Sequence, residues 1–253
     1  ISWKQKKGEY TMSNRSIHTL LKNWDEECPL TREEAVEVLN LPEEKMDSLM
    51  ECAYALRTKY KGKKVSVQLL TNVRSGNCTQ NCAYCAQSKD SQAEIEKYKR
   101  VSDEKLYGDN DLVDEKHLAR HCIGLSGIGF SDEEIEDLAD RIREMKKKDT
   151  QICCSIGFLT EKQARILKDA GLDRINHNLN SSRSFYPEIC TTHTYDQRVN
   201  NIKMLQSLGF EICSGGIVGM GESKEDIVDM LMDLREINPE SVSYTHLTLP
   251  TKA

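Results

Sequence analysis

The sequence predicts a parallel α/β fold: a (β/α) TIM-type barrel with N-terminal helices, cut short after about five strands. Three observations predict it. Beyond residue 115, short strand-like runs alternate with helices, each opened by a Ser or Thr cap. The first strand-like run leads into no G-x-G-x-x-G, so a dinucleotide-binding sheet is unsupported. The residues with chemistry in them fall within strands or just past their C-terminal ends, where such barrels carry their sites.

Taken in order, Thr31 and Glu34 form a capping-box pattern that opens a helical region over 31–60. A second helix follows Pro42, with Met46, Leu49, Met50, Ala53 and Leu56 at helical spacing and Cys52 on the same apolar face. K-V-S-V-Q-L-L-T-N-V (64–73) reads as a strand delivering the chain into a cysteine loop. Residues 99–117 are polar, weakly periodic and unplaced. R-H-C-I-G-L-S (120–126) is the next strand. Ser131 and Glu134 then cap a helix with Ile135, Leu138, Ala139, Ile142 and Met145 on one face. Q-I-C-C-S-I-G-F (151–158) precedes a helix capped by Thr160 and Gln163 and stopped at Gly171. R-I-N-H-N-L (174–179) precedes one capped by Thr194 and Gln197, with Val199, Ile202 and Leu205 inward. E-I-C-S-G-G-I-V-G (211–219) precedes one opened by Ser223, carrying Ile227, Met230, Leu231 and Leu234 and ending before Pro239.

Composition narrows the function classes. The chain has 253 residues, 38% hydrophobic and 30% charged, as in a globular protein. No run of about eighteen apolar residues is present to span a membrane. A net charge of −6 and 6% aromatic residues argue against a nucleic-acid or base-stacking protein. The first thirty residues lack an apolar signal core, so the expected location is cytoplasmic. The chain has ten cysteines, and in a reducing compartment clustered cysteines point to metal binding or chemistry more than to disulfides. Cys28, Cys52, Cys154 and Cys190 show no partner pattern and read as packing or surface residues.

Both ends read as foreign to the fold. Lys7-Gly8-Glu9 can be encoded by a purine-rich ribosome-binding sequence just before Met12, so residues 1–11 are expected to be an untranslated leader. The first ten residues of 242–253 can be encoded by a string that resembles a sequencing adapter, although S-V-S-Y-T-H-L-T-L also has strand composition. The expected organisation is a helical segment at 12–63, an incomplete barrel core at 64–241 and an adapter-derived tail at 242–253.

The loop S-G-N-C-T-Q-N-C-A-Y-C-A-Q-S (75–88) places Cys78, Cys82 and Cys85 together, with Tyr84 before the last. Structural zinc sites close with four ligands, usually as two pairs, and no second pair follows. Cys122 could serve as a distant fourth ligand, but it sits in an apolar strand. Three thiolates suit a cubane iron–sulfur cluster with one open iron, where a small molecule can bind. Zinc remains the competing reading. Cys122, Cys153 and Cys213 lie on three further strands; they read either as buried structural cysteines or as a second cluster site. Cys153 and Cys154 are adjacent, so strand alternation sends them to opposite faces.

The cysteine loop resembles that of the radical S-adenosylmethionine enzymes. Together with G-L-D-R-I-N-H-N-L-N, T-T-H-T-Y-D-Q-R and C-S-G-G-I-V-G-M-G-E, in this order over residues 65–241, it resembles the biotin-synthase family within them. The resemblance implies a 4Fe-4S cluster on Cys78, Cys82 and Cys85, whose open iron chelates S-adenosylmethionine for cleavage to a 5′-deoxyadenosyl radical. It implies a second, 2Fe-2S cluster on Cys122, Cys153 and Cys213 plus an arginine, with that arginine beyond Ser241. An open barrel one ligand short, with poor activity, is the resulting expectation. Tyr84, Asn178, Asn180 and Arg198 are implied cofactor-binding residues: the two asparagines near the ribose, Arg198 at the carboxylate. The family often has Asp where Asn180 stands, so that contact keeps its polarity but loses a charge. Asn176 is an implied substrate contact, and Gly215, Gly216, Gly219 and Gly221 are expected to let backbone approach the ligand. The implied activity is sulfur insertion into dethiobiotin, with a flavodoxin or ferredoxin as electron donor and a homodimer as assembly. Lipoyl-type sulfur insertion, a rearranging enzyme of the same kind and a non-catalytic zinc module are the alternatives.

Overall fold

The computed structural model describes residues 30–246. Cys28, Met12 with its leader, and residues 247–253 lie outside the described residues. The chain divides into two units, Ile1–Lys64 and Val65–Ala253.

In the first unit, α1 (Arg32–Leu39) opens on the predicted capping box. The Glu34 backbone N–H donates to Thr31 Oγ1 at 3.2 Å, and the Thr31 N–H donates to Glu34 Oε2 at 2.9 Å. A 3₁₀ turn at Glu43–Lys45 leads into α2 (Met46–Lys61), closed by Gly62 at φ +62°. The apolar stripe expected on α2 is present in sequence but buries none of its residues; Met50 is 63% exposed. The described part of this unit offers only the eight-residue α1 to cover it.

The second unit alternates as the sequence predicts. Its elements are β1 (Gln68–Arg74), α3 (Asp103–Glu115), β2 (Arg120–Leu125), α4 (Asp132–Met145), β3 (Ile152–Ser155), α5 (Glu161–Asp169) and β4 (Arg174–Asn176). There follow a short α6 (Tyr186–Ile189), α7 (Tyr195–Ser207), β5 (Glu211–Cys213), β6 (Gly216–Val218), α8 (Lys224–Ile237) and β7 (Tyr244–His246). Strands β1 to β5 form one parallel sheet in chain order, a partial TIM-type barrel. The run read as one strand over 211–219 breaks at Ser214–Gly215 into β5 and β6, and β6 pairs in parallel with β7. Residues 244–246, within the segment read as adapter-derived, thus lie beside β6 with all three exposed. No helix among the described residues is long and apolar enough to cross a membrane.

Helix caps and stripes account for the packing. Capping boxes start α4, α5, α7 and α8 at Ser131, Thr160, Thr194 and Ser223. All five predicted inward residues of α4 are buried. On α8 the buried face is Val228, Met230, Leu234 and Ile237, while the predicted Leu231 is 44% exposed. That helix carries apolar residues on two sides, so spacing alone left its rotation ambiguous. The unplaced segment 99–117 contains α3, capped by Ser102. Its buried stripe is Leu106, Asn110 and Val113, and the polar middle residue hid the periodicity. Asn110 is satisfied inside: Nδ2 donates to Met145 O at 3.1 Å, and Oδ1 lies 3.2 Å from His121 Nδ1.

Register sorts the sheet into two faces. Ile123, Ile152, Cys154, Ile175 and Ile212 are fully buried in the apolar core. The opposite face carries two aligned rows. One runs Leu70, Cys122, Cys153, Arg174, Glu211; the next runs Asn72, Gly124, Ser155, Asn176, Cys213. Leu70, at the edge of the first row, is 65% exposed, as in an open barrel.

Candidate functional site

The cysteine loop begins where β1 ends. Ser75 and Tyr98 exchange two backbone hydrogen bonds of 3.0 Å and close its base. Gly76 and Asn77 turn it through positive φ, +71° and +54°. Cys78 lines a cavity of about 440 Å³ with Gln87 and Lys97. Cys82 and Cys85 line another with Tyr84. One irregular loop thus supplies all three thiols, but Cys78 opens onto a different hollow from the other two. Cys82 is buried, and its thiol is pushed up to about 12, first by burial and then by Cys190, whose Sγ lies 3.8 Å away. Burial likewise raises the Tyr84 phenol.

Arg198 sits behind this loop. Its guanidinium donates to the Asn178 carbonyl at 3.2 Å, to the Tyr186 hydroxyl, and to His193 Nε2 at 2.8 Å. A guanidinium only donates, so His193 Nε2 accepts, and the neutral ring carries its proton on Nδ1, 3.0 Å from Gln80 Oε1. Burial and then Arg198 hold that histidine down at about 4. Among the described residues no carboxylate pairs with Arg198, so its charge is met only by dipoles.

The N-H-N-L-N stretch splits by strand alternation. Asn176 is in register with Cys213 on the sulfur-bearing face. His177 is buried with Nε2 lacking a partner, and desolvation lowers it to about 3. Asn178 Oδ1 accepts from Ser243 Oγ at 2.8 Å. Asn180 is buried at φ +72°, and its backbone bonds Gly215 O at 3.0 Å and Ile217 N at 2.9 Å. Asn and Asp enter that left-handed region more readily than most residues, which gives position 180 a backbone reason for either. A Cβ at Gly215 would meet Ser243 O at 1.7 Å, and one at Gly216 would meet Met230 Sδ at 2.0 Å. These two glycines therefore admit the chain's own packing, a role not foreseen for them.

The strand cysteines converge. Cys122 and Cys153 are register partners on β2 and β3, and Cys213 lies one row on, on β5. The Cys122 thiol donates to Gln68 Oε1 at 2.9 Å. A hydrogen bond from Cys153 lowers the Cys122 thiol, helped by Arg120 and Arg174. Cys153 is raised in turn by that bond, by burial and by the neighbouring thiols, Cys213 included. Cys154, one residue on, is buried in the apolar core, as alternation requires. Arg174 is tied to Glu211 at 2.5 Å, whereas Arg120 Nε is buried without a hydrogen-bond partner.

Residues 72–234 match the family model described as the radical SAM superfamily. The chain belongs to the radical SAM superfamily. It is 39% identical over 219 residues to the biotin synthase of Geobacillus kaustophilus (strain HTA426), covering 86% of this chain and 66% of that one. It is 40% identical over 215 residues to that of Rhodopirellula baltica, covering 85% and 60%. The chain thus spans under two thirds of these curated relatives. Among solved structures, a methylornithine synthase aligns with a TM-score of 0.80 at 16% identity, over 91% of this chain and 67% of that one. The hydrogenase maturase HydG from Carboxydothermus hydrogenoformans aligns at 0.77 and 20% identity, over 92% and 56%. At these identities the structures speak for the fold.

Radical SAM membership implies a 4Fe-4S cluster and S-adenosylmethionine. The donor set fits: three free cysteines on one loop at the C-terminal end of a barrel strand. The strand cysteines also fit a second cluster in chemistry, being free thiols on one face with two guanidinium groups close enough to stabilise thiolate charge.

Sequence reading missed four neighbours. Arg120 and Arg174 share the face of Cys122 and Cys153, and the i, i+2 spacing of Arg120 to Cys122 was the available signal. Cys190, taken as a packing residue, is buried but also touches Cys82, and His193 joins them. Cys190 precedes the T-T-H-T-Y stretch and His193 lies within it, and only the fold brings that stretch to the cysteine loop.

Proposed function

We propose that this chain is the radical-generating core of a biotin synthase, inserting sulfur into dethiobiotin. The convergence of Cys122, Cys153 and Cys213 on one sheet face carries the reading, because a radical generator alone needs only the loop cysteines. Identity near 39% to biotin synthases supports it. Bound at these two sites, the 4Fe-4S cluster with S-adenosylmethionine supplies a 5′-deoxyadenosyl radical, and the 2Fe-2S cluster supplies sulfur.

The chain's own residues hold and orient. Cys78, Cys82 and Cys85 anchor the first cluster. Arg198, lacking a carboxylate of its own, offers its fork to the S-adenosylmethionine carboxylate. Tyr84 walls the cavity shared with Cys82 and Cys85. Asn178 and Asn180 serve the ribose, and Asn176, beside Cys213, faces substrate. Arg120 and Arg174 offset the thiolate charge of the second site. Such a site works by fixing the radical carbon, the C–H bond and the sulfur at contact distance, away from water. A flavodoxin or ferredoxin delivers the electron, and the working assembly is a homodimer.

The test is anaerobic reconstitution, then incubation with dethiobiotin, S-adenosylmethionine and a reductant. Biotin and 5′-deoxyadenosine are expected together. Deoxyadenosine with no biotin, from a chain extended to its relatives' full length, would sink the sulfur-insertion reading. Zinc without acid-labile sulfide would sink the radical reading as well.

A further inference from the structure

We propose that Cys82 and Cys190 are a redox pair that closes into a disulfide when the loop carries no cluster. The loop and the 189–191 stretch are held together beside the two residues. The Ala83 N–H donates to Ile189 O at 2.9 Å. On the other side, the Asn81 side chain donates from Nδ2 to Thr191 Oγ1 at 2.7 Å and accepts the Thr191 N–H at Oδ1, 3.1 Å away. One backbone bond and these side-chain bonds hold residues 81–83 against 189–191. The thiols are in contact at 3.8 Å, and both are buried.

His193 completes the cluster, within 4.8 Å of both sulfurs, and at first sight suggests a metal site. Its nitrogens argue otherwise. Nε2 is taken by Arg198, and Nδ1 bears the proton, facing Gln80 Oε1 at 3.0 Å and Cys190 Sγ at 3.3 Å. A protonated nitrogen donates to sulfur and binds no cation. The Cys82–Cys190 contact at 3.8 Å is thus left to thiol–disulfide chemistry.

The oxidant is a low-molecular-weight disulfide such as oxidised glutathione. Cys82, which lines the loop cavity, attacks one glutathione sulfur; the S–S bond breaks and one glutathione leaves. Cys190 then attacks the Cys82 sulfur of the mixed disulfide and releases the second glutathione. Two protein thiol protons end on two glutathiones, and the protein pair loses two electrons to the oxidant. A Cys82 held this way cannot ligate iron, so cluster loading waits for reduction. That consequence rests on the cluster reading above; the disulfide itself does not.

The test uses the whole cluster-free chain, reduced and then exposed anaerobically to oxidised glutathione, alkylated and digested with trypsin. Residues 75–89 and 184–198 are separate tryptic peptides. The expected product joins them through Cys82 and Cys190, with Cys78 and Cys85 alkylated. Iron uptake should be lost on oxidation and restored by dithiothreitol. In Cys190→Ser, the oxidant should leave Cys82 as a mixed disulfide with glutathione and give no link between the two peptides. Cys82 joined to Cys78 or Cys85, or Cys190 alkylated after oxidation, overturns the proposal in the wild-type chain alone. A reduced chain that takes up no iron would instead count against the cluster reading, and the peptide map would still decide the disulfide.

Discussion

Cys122 and Cys153 stand opposite each other on neighbouring parallel strands, and each shifts the other's proton affinity in the opposite sense. Cys153 donates and Cys122 accepts, with Arg120 and Arg174 adding positive potential to the acceptor. A pair of purely structural cysteines would gain little from such surroundings, because a buried thiol packs best when neutral. Here the arginines favour the charged form of Cys122, while Cys153 is held protonated by its bond to Cys122, by burial and by its neighbours.

This arrangement separates the adjacent cysteines experimentally. Cys153→Ala should lose the iron and absorbance of a second cluster while the loop cluster still loads. Cys154→Ala, on the core face, should keep both and cost about 1–2 kcal/mol in denaturant unfolding. Iron and sulfide analysis of the two variants after identical reconstitution is the measurement; matching losses would refute the division of faces.

Arg198 gives the second prediction. A charge-assisted hydrogen-bonding partner is worth roughly 1.5–3 kcal/mol, so Arg198→Ala should weaken S-adenosylmethionine binding about 10- to 150-fold. Arg198→Lys should fall between, because an ammonium keeps the charge but not the fork. Equilibrium binding to the reconstituted protein reads this, with iron content as the control that the loop cluster is intact. Unchanged affinity would return Arg198 to a structural role with Tyr186 and His193.

Much of this was legible in the sequence because the signals are local. Capping pairs such as Ser131–Glu134 and Thr160–Gln163 act within one helical turn, so their spacing alone placed the helix starts. Likewise, the adjacency of Cys153 and Cys154 was enough to sort them by face. What the sequence hid depended on distant partners. Asn110 masked the stripe of α3, because a buried polar residue looks like a surface one until His121 and Met145 are seen to satisfy it. Gly215 and Gly216 looked like ligand-facing glycines, yet Ser243 and Met230 fill the space against them. Cys190 looked solitary because Cys82, its contact, is far away in the chain.

A third prediction concerns acid. His121 and His193 are held at about 4, and His177 at about 3, each mainly by burial. An unfolded histidine titrates near about 6.5, so between that pH and the folded values the unfolded chain binds more protons. Stability is therefore fully present above about pH 6.5 and falls as pH drops toward 4, by roughly 1–2 kcal/mol per histidine at pH 5. Urea unfolding of the cluster-free chain at pH 7 and pH 5 should show a lower midpoint at pH 5. Equal midpoints would mean that these rings are solvated rather than buried neutral.

The last prediction tests the packing that holds the sheet ends in place. Gly157 follows β3, and a Cβ there would meet the Ile128 carbonyl oxygen at 2.4 Å. That oxygen is fixed: it accepts the Phe158 N–H at 2.7 Å, so it cannot step aside without breaking a backbone bond. The Phe158 ring in turn packs 5.3 Å from His177 and 5.5 Å from His193, centroid to centroid. Gly157→Ala should therefore destabilise the barrel unit by about 1–3 kcal/mol, the usual cost of overpacking against an immobile neighbour. It should also loosen the His193–Arg198 contact, and with it S-adenosylmethionine binding. Gly129→Ala, where a Cβ would meet nothing within 4 Å, is the matched control. Equal unfolding midpoints for the two variants would show that the 128–158 junction yields, and the rigidity assigned to this end of the sheet would be wrong.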